Sequence, residues 1–156
     1  MLKIGLLSDT HAWWDDKYAE YFAECDEIWH AGDIGSDGLA AKLAALKPFR
    51  AVYGNIDGQS LRLEYPEVAH FKAEEVNVMM THIGGYPGRY NPAIRKRIVR
   101  YPPELVHSGS FAHSGKSPST NPWIVYISIR AQPAKAASIR SVPPFLSIDG
   151  KNIKDP

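Results

Sequence analysis

An α/β fold is predicted for this chain of 156 residues from two observations. Between residues 2 and 100, short apolar runs bounded by turn residues alternate with segments whose apolar residues recur at helical spacing. Four of the apolar runs end on Asp, Asn or His. An open α/β sheet keeps its ligand crevice at the carboxyl ends of its strands, so these four ends are expected to meet.

The first strand, residues 2–8, stops at Asp9-Thr-His11. Trp13 and Trp14 follow. Two readings stand for them: a platform for a substrate base or a partner, or one ring buried with the other shielding the loop. Residues 15–24 read as a helix with acids in its first turn, where the dipole favours them. The second strand, Glu27-Ile-Trp-His30, leads into Ala-Gly-Asp33. His30 is three residues from Asp33, so it points to the opposite face and reads as a packing or supporting histidine.

Residues 39–46 have helical period, and residues 49–53 form a third strand that ends in Gly54-Asn55. Alone, Asn55 reads as a turn residue; in series with the other strand ends it reads as a ligand. Residues 59–71 read as extended, with a turn at Pro66, and His70 as structural. Residues 76–80 form the next strand and carry His82, followed by a lip of glycines, Tyr86 and Arg89 over residues 84–88. There Arg89 reads as a solvated arginine or as a phosphate contact. Pro92-Ala-Ile-Arg-Lys-Arg-Ile-Val-Arg100 reads as a helix with an exposed basic face.

Buried acids without basic partners need a cation. Asp9, His11, Asp33, Asn55 and His82 offer oxygen and nitrogen donors, a set suited to Mn, Fe, Zn, Ni or Co and not to soft copper. An Asp shared between two ions about 3.5–4 Å apart would make a phosphoryl-transfer site.

The totals fit one domain over residues 1–156 with a single core. A net charge of +1 gives no general case for nucleic acid or an acidic membrane, and no clear nucleic-acid site is expected. Cys25 is the only cysteine; it excludes an internal disulfide, suits a reducing cytoplasm and reads as a core thiol. No apolar run approaches the ~20 residues of a membrane helix, and no signal peptide is expected.

The order Asp-x-His, Gly-Asp, Gly-Asn, His resembles the calcineurin-like metallophosphoesterases, in particular their small bacterial and archaeal phosphodiesterase branch. The resemblance covers residues 2–100. It implies a four-layer αββα sandwich, two mixed β-sheets flanked by helices. It implies two divalent metal ions, Mn first, with Ni, Zn, Fe, Co or Mg as alternatives. Asp9 and His11 would hold one, Asn55 and His82 the other, and Asp33 would bridge. The implied activity is hydrolysis of a small phosphoester, a diester in preference to a monoester, by hydroxide held between the ions. The alternative is a non-catalytic scaffold on the same fold, as in the retromer subunit. Association into a homo-oligomer is left open. Where many relatives place a leaving-group histidine after the Asn, this chain has Ile56, then Asp57. Asp57 reads as a general acid or a turn residue, and the catalytic acid is unassigned.

Residues 104–143 depart from the pattern, with many Ser, Pro and Ala and one acid, Glu104. The resemblance implies a Gly-His-x-His pair and then an Asn-Pro-Gly turn. Ser110 and Ala112 stand at the two histidine positions, with His107 and His113 displaced from them. For one choice of codons, residues 110–114 read one nucleotide forward give His-Ser-His-Ile. Residues 127–131 read two nucleotides forward give Phe-Asn-Pro-Gly. A shifted reading frame is therefore expected here, with residues 145–153 resuming a strand–turn–strand texture.

Overall fold

Apolar side chains on both sides of β1 (Leu2–Ser8) make it the centre of the molecule. In the computed structural model, which describes residues 1–86, 88–109, 123–129 and 138–141, β1 pairs in parallel with β2 (Glu27–Ala31). β2 pairs in parallel with β3 (Phe49–Val52). Crossovers between parallel strands need room: the first carries the short helix α1 (Tyr18–Tyr21), the second α2 (Asp37–Leu46). Helix α3 (Gln59–Glu64) then leads to a second sheet, in which β4 (Val68–Ala73) is antiparallel to β5 (Val76–Thr81). A two-stranded hairpin, β6 (Gly85–Tyr86) and β7 (Arg89–Tyr90), precedes helix α4 (Pro92–Arg100). β8 (Leu105–Ser108) returns parallel to β5. β9 (Trp123–Ile129) and β10 (Ser138–Ser141) complete the first sheet, whose order is β10-β9-β1-β2-β3; the second is β4-β5-β8.

The period of two along each strand divides the core. Ile4, Leu6, Trp29, Ala31, Val52 and Ile127 pack from the first sheet onto Ala73, Val78, Met80 and Leu105 of the second. On the other face, Leu7, Ile28 and Ala51 pack against Tyr18, Phe22, Leu39, Leu43 and Leu61 from the helices. Cys25 lies in this second cluster, and burial pushes its thiol up to about 11, as a core thiol requires. α4 lies over the outer face of β4 and β5, where Tyr101 meets the His70 ring edge-on at 6.4 Å. The layers are helix, sheet, sheet, helix, the expected four-layer fold.

Three segments differ from expectation. The first helix is one turn, because Asp15 and Asp16 are spent in turns: Asp15 accepts from the Lys17 N–H and Asp16 from the Trp14 indole. Residues 59–64 are helical and not extended; Gln, Leu, Arg and Glu are all good helix formers, and Leu61 anchors the turn. The glycine lip is a paired hairpin. Trp13 is exposed, while the half-buried Trp14 ring packs edge-on against Tyr18. No helix among the described residues is long and apolar enough to cross a membrane.

Candidate metal centre

Parallel pairing puts the carboxyl ends of β1, β2 and β3 on one edge of the sheet. The loops that leave them are locked together by their main chains. The Asp9 N–H donates to the Gly32 carbonyl at 3.0 Å, His11 N–H to Asp33 at 3.0 Å and Ala12 N–H to Ile34 at 2.7 Å. Asp9, His11, Ala12 and Asp33 all have left-handed backbone, with φ between 49° and 66°. Such conformations cost about 1–2 kcal/mol each in residues other than glycine. The only other described non-glycine residue with positive φ is Glu74, in the β4–β5 turn. Strain is therefore concentrated at this edge, as it is at many functional sites.

Asp33 is at the middle. One carboxylate oxygen accepts the Ile56 N–H at 3.1 Å. The other is 3.2 Å from His82 Nε2 and 3.9 Å from His11 Nε2. Ligand atoms of Asp9, Asp33 and His82 lie within 4.8 Å of one another. The Ser8 hydroxyl donates to the Asp9 carboxylate. His82 Nδ1 donates to the Ala31 carbonyl at 2.8 Å, which leaves Nε2 as the nitrogen facing Asp33. An imidazole nitrogen and a carboxylate oxygen turned to the same point are donors that one cation could share. Two carboxylates and an imidazole converging in this way fit a borderline divalent metal.

Three of the five expected residues, Asp9, Asp33 and His82, thus gather around one point, and His11 reaches its edge at 3.9 Å from Asp33. Asn55 is exposed beside it: its neighbours Gly54 and Ile56 both touch Asp33, and it lines a cavity of about 250 Å³ with His82, Arg62, Asn91 and Arg97. Gly54 is required there. A Cβ on it would sit 2.1 Å from Asp33 Oδ1 and 2.4 Å from the Asp33 nitrogen.

His30 and Asp57 prove to be positioning residues. His30 is fully buried on the helix side of β2, as its register predicted. Its Nδ1 accepts the Gly32 N–H at 3.2 Å; its Nε2 donates to the Thr10 hydroxyl at 2.9 Å, which donates on to the Ile34 carbonyl at 3.1 Å. That chain of donors works only for neutral imidazole, and burial pushes the His30 pKa down to about 3. Asp57 accepts Gly35 N–H at 2.7 Å on one oxygen and Gly54 N–H at 2.8 Å on the other, clamping the Asp33 loop to the Asn55 loop. With both oxygens engaged as acceptors from main-chain N–H groups it has the turn role read from the sequence.

Sequence reading missed Arg62. From α3 its guanidinium donates to the carbonyls of Asp57 at 2.7 Å and Asn55 at 3.0 Å, and it covers the Tyr53 ring at 4.8 Å. The helix-forming composition of residues 59–64 was the available signal. Ser110, Ala112 and His113 lie outside the described residues, as do residues 130–131 and 145–153. His107 is in β8, where its Cα pairs with Met80; burial holds it down to about 4.

An αββα sandwich with carboxylates and imidazoles gathered at its strand ends has the architecture of a metallophosphoesterase-like domain. The chain belongs to the calcineurin-like phosphoesterase superfamily, whose domain matches residues 2–119. A probable metallophosphoesterase of Methanothermobacter thermautotrophicus is 33% identical over 91 residues, 54% of this chain; the match spans about half the length of that relative, 51%. An archaeal phosphodiesterase structure superposes with a TM-score of 0.60 at 17% identity, covering 90% of this chain and all of that one, 100%. Vps29 of Chaetomium thermophilum superposes equally well, 0.60, at 9% identity, covering 91% of this chain and 97% of that one. At these identities the two structures speak for the fold alone.

Two predictions follow from this geometry. Gly54→Ala pushes a methyl into Asp33 and should lower Mn2+ affinity by about tenfold or more, measured by isothermal titration calorimetry. The His30 pKa is lower in the folded than in the unfolded chain, so the unfolded chain takes up a proton first as pH falls. Stability from neutral His30 is complete above about pH 6.5 and lost toward pH 3, with a limiting slope of about 1.4 kcal/mol per pH unit. Urea unfolding at a series of pH values should show this slope, and His30→Gln should flatten it.

Proposed function

We propose that the chain is a metal-dependent phosphodiesterase acting on a small phosphoester, with Asp9 and His11 holding one divalent ion, Asn55 and His82 a second, and Asp33 both. The observation that carries this reading is the convergence of Asp9, Asp33 and His82 within 4.8 Å. When bound, the ions acidify water and offset charge on the phosphoryl oxygens. Everything else falls to the chain. Ala31 fixes the His82 tautomer, Asp57 and Arg62 hold the Asn55 loop against Asp33, and the cavity beside Asn55 and His82 has room for a phosphoester. Mn is the favoured ion, and a reducing cytoplasm the favoured compartment.

The scaffold reading is favoured by a specific feature. Gly109, at the end of β8, is wedged into the centre: a Cβ there would be 2.2 Å from the Ala31 carbonyl and 2.8 Å from His82 Nδ1. Ser110 and Ala112 follow Gly109, where the resemblance implies histidines. With Ser and Ala at those positions each ion loses one ligand. A shifted frame across this segment would restore both.

Asp33→Asn should abolish turnover of an aryl phosphodiester with Mn2+ while leaving the circular dichroism spectrum unchanged; equal activity in that variant rules out a bridging Asp33. A wild-type chain that binds one equivalent of Mn2+ or none, and turns nothing over, identifies the scaffold. Gene sequencing and a peptide mass map across residues 100–145 are expected to reveal the frame change. An unshifted gene with peptides of this sequence disposes of it.

A further inference from the structure

The neutral total of the chain conceals a segregated charge. From residue 76 to residue 103 there is no acid, and there are five cations: Arg89, Arg95, Lys96, Arg97 and Arg100. Four of them lie on α4, whose one buried side chain is Ile94. From sequence this face reads as solvated. In the fold it walls a groove of about 900 Å³ between α4 and the outer face of β4 and β5. Lys72, Lys96, Arg97, Arg100, His70 and Tyr101 line it. Glu75 pairs with Lys72 at 2.9 Å, and Glu104 is held by Asn77 through its N–H at 2.6 Å. Among the described residues no carboxylate is within ion-pair distance of Lys96, Arg97 or Arg100. Tyr101 is 60% exposed, so its ring reaches solvent at the groove's end, with the Arg100 guanidinium over it at 5.4 Å.

Arg97 joins this groove to the metal centre, for it also lines the cavity that holds Asn55 and His82. The first turn of α4, through Asn91 and Ala93, faces that cavity; Lys96, Arg97, Arg100 and then Tyr101 face the groove. The helix, about 1.5 Å per residue, is a track of cations that starts at the candidate centre and ends on an aromatic ring.

We propose that this groove binds single-stranded nucleic acid and leads one of its phosphodiesters to the centre at Asp33. The reading rests on the phosphodiesterase proposed above and names its substrate class. A single strand offers a phosphate at every nucleotide for the cations and an unpaired base for Tyr101, the pairing of electrostatic groove and stacking platform that such ligands use. A duplex hides its bases from the ring. A lipid surface requires cations on a convex or flat face, whereas these line a concavity. The field of the groove is felt by His70, whose pKa is lowered by burial and then by the Arg97 charge.

The test is fluorescence anisotropy of a labelled oligonucleotide of about 12 nucleotides, DNA or RNA, with the full chain in EDTA, so that binding is read without turnover. The wild type should bind at about 50 mM salt. Lys96→Glu with Arg100→Glu should weaken binding more than tenfold and reduce the salt slope by about 1.4, from two lost phosphate contacts. Tyr101→Ala should weaken binding about fivefold or more with the slope unchanged. Aryl phosphodiester turnover should persist in these variants, and Asp33→Asn should keep strand binding. No binding, binding indifferent to the charge reversals, or tighter binding to duplex or to phosphatidylserine vesicles overturns the proposal. Strand binding in a chain without aryl turnover would instead remove the catalytic reading and leave the groove as a binding site.

Discussion

The centre depends on how closely three main chains approach around Asp33. The Ile56 N–H reaches its carboxylate, the His11 N–H its carbonyl, and the Gly54 Cα stands where no side chain fits. Parallel pairing of β1, β2 and β3 brings the loops to one edge, but pairing alone would leave them apart. The left-handed turns at Asp9, His11 and Asp33 fold them inward, against a conformational preference of about 1–2 kcal/mol at each. Two sheets and two apolar clusters hold that strain in place.

The supporting polar groups are chosen by their direction of donation. His30 is neutral so that one ring nitrogen accepts from Gly32 and the other donates to Thr10. His82 donates through Nδ1 to the Ala31 carbonyl, which turns Nε2 toward Asp33. Asp57 accepts twice from main-chain N–H groups, and Arg62 donates to carbonyls of the same loop. Every one of these contacts fixes a backbone segment, so the residues that face the centre are held from behind without another charge being placed among them. This is the division between ligands and outer partners that metal sites commonly use.

Strand ends were legible because an apolar run that stops at Asp9, Asp33 or His82 is visible as a discontinuity in sequence. The layered fold was legible for a related reason: the alternation of strand and helix is local. What was hidden depends on long-range contact. Asp57 reads as an acid in a turn until Gly35, twenty-two residues away, is seen to donate to it. Arg62 was lost with its helix, because the pattern of residues 59–64 has only one buried position, Leu61, and gives no apolar face. Asn55 remains the residue for which sequence order says more than geometry, since exposure beside the site is compatible with a turn as well as with a ligand.

Net charge is a sum and erases arrangement. A chain of net charge +1 contains an acid-free stretch from which α4 turns Lys96, Arg97 and Arg100 toward one groove. The same stretch contains β5, whose Asn77 lies beside the groove and whose last residue, Thr81, precedes His82 in the centre. The strand spans about 20 Å. Strand and helix therefore connect the same two places, one through the core and the other across the surface. A change in α4 that moved Arg97 would alter both cavities together, whereas a change at Arg100 or Tyr101 would be felt only at the far end. Position along the helix, more than the number of cations on it, determines which contacts belong to recognition and which to chemistry.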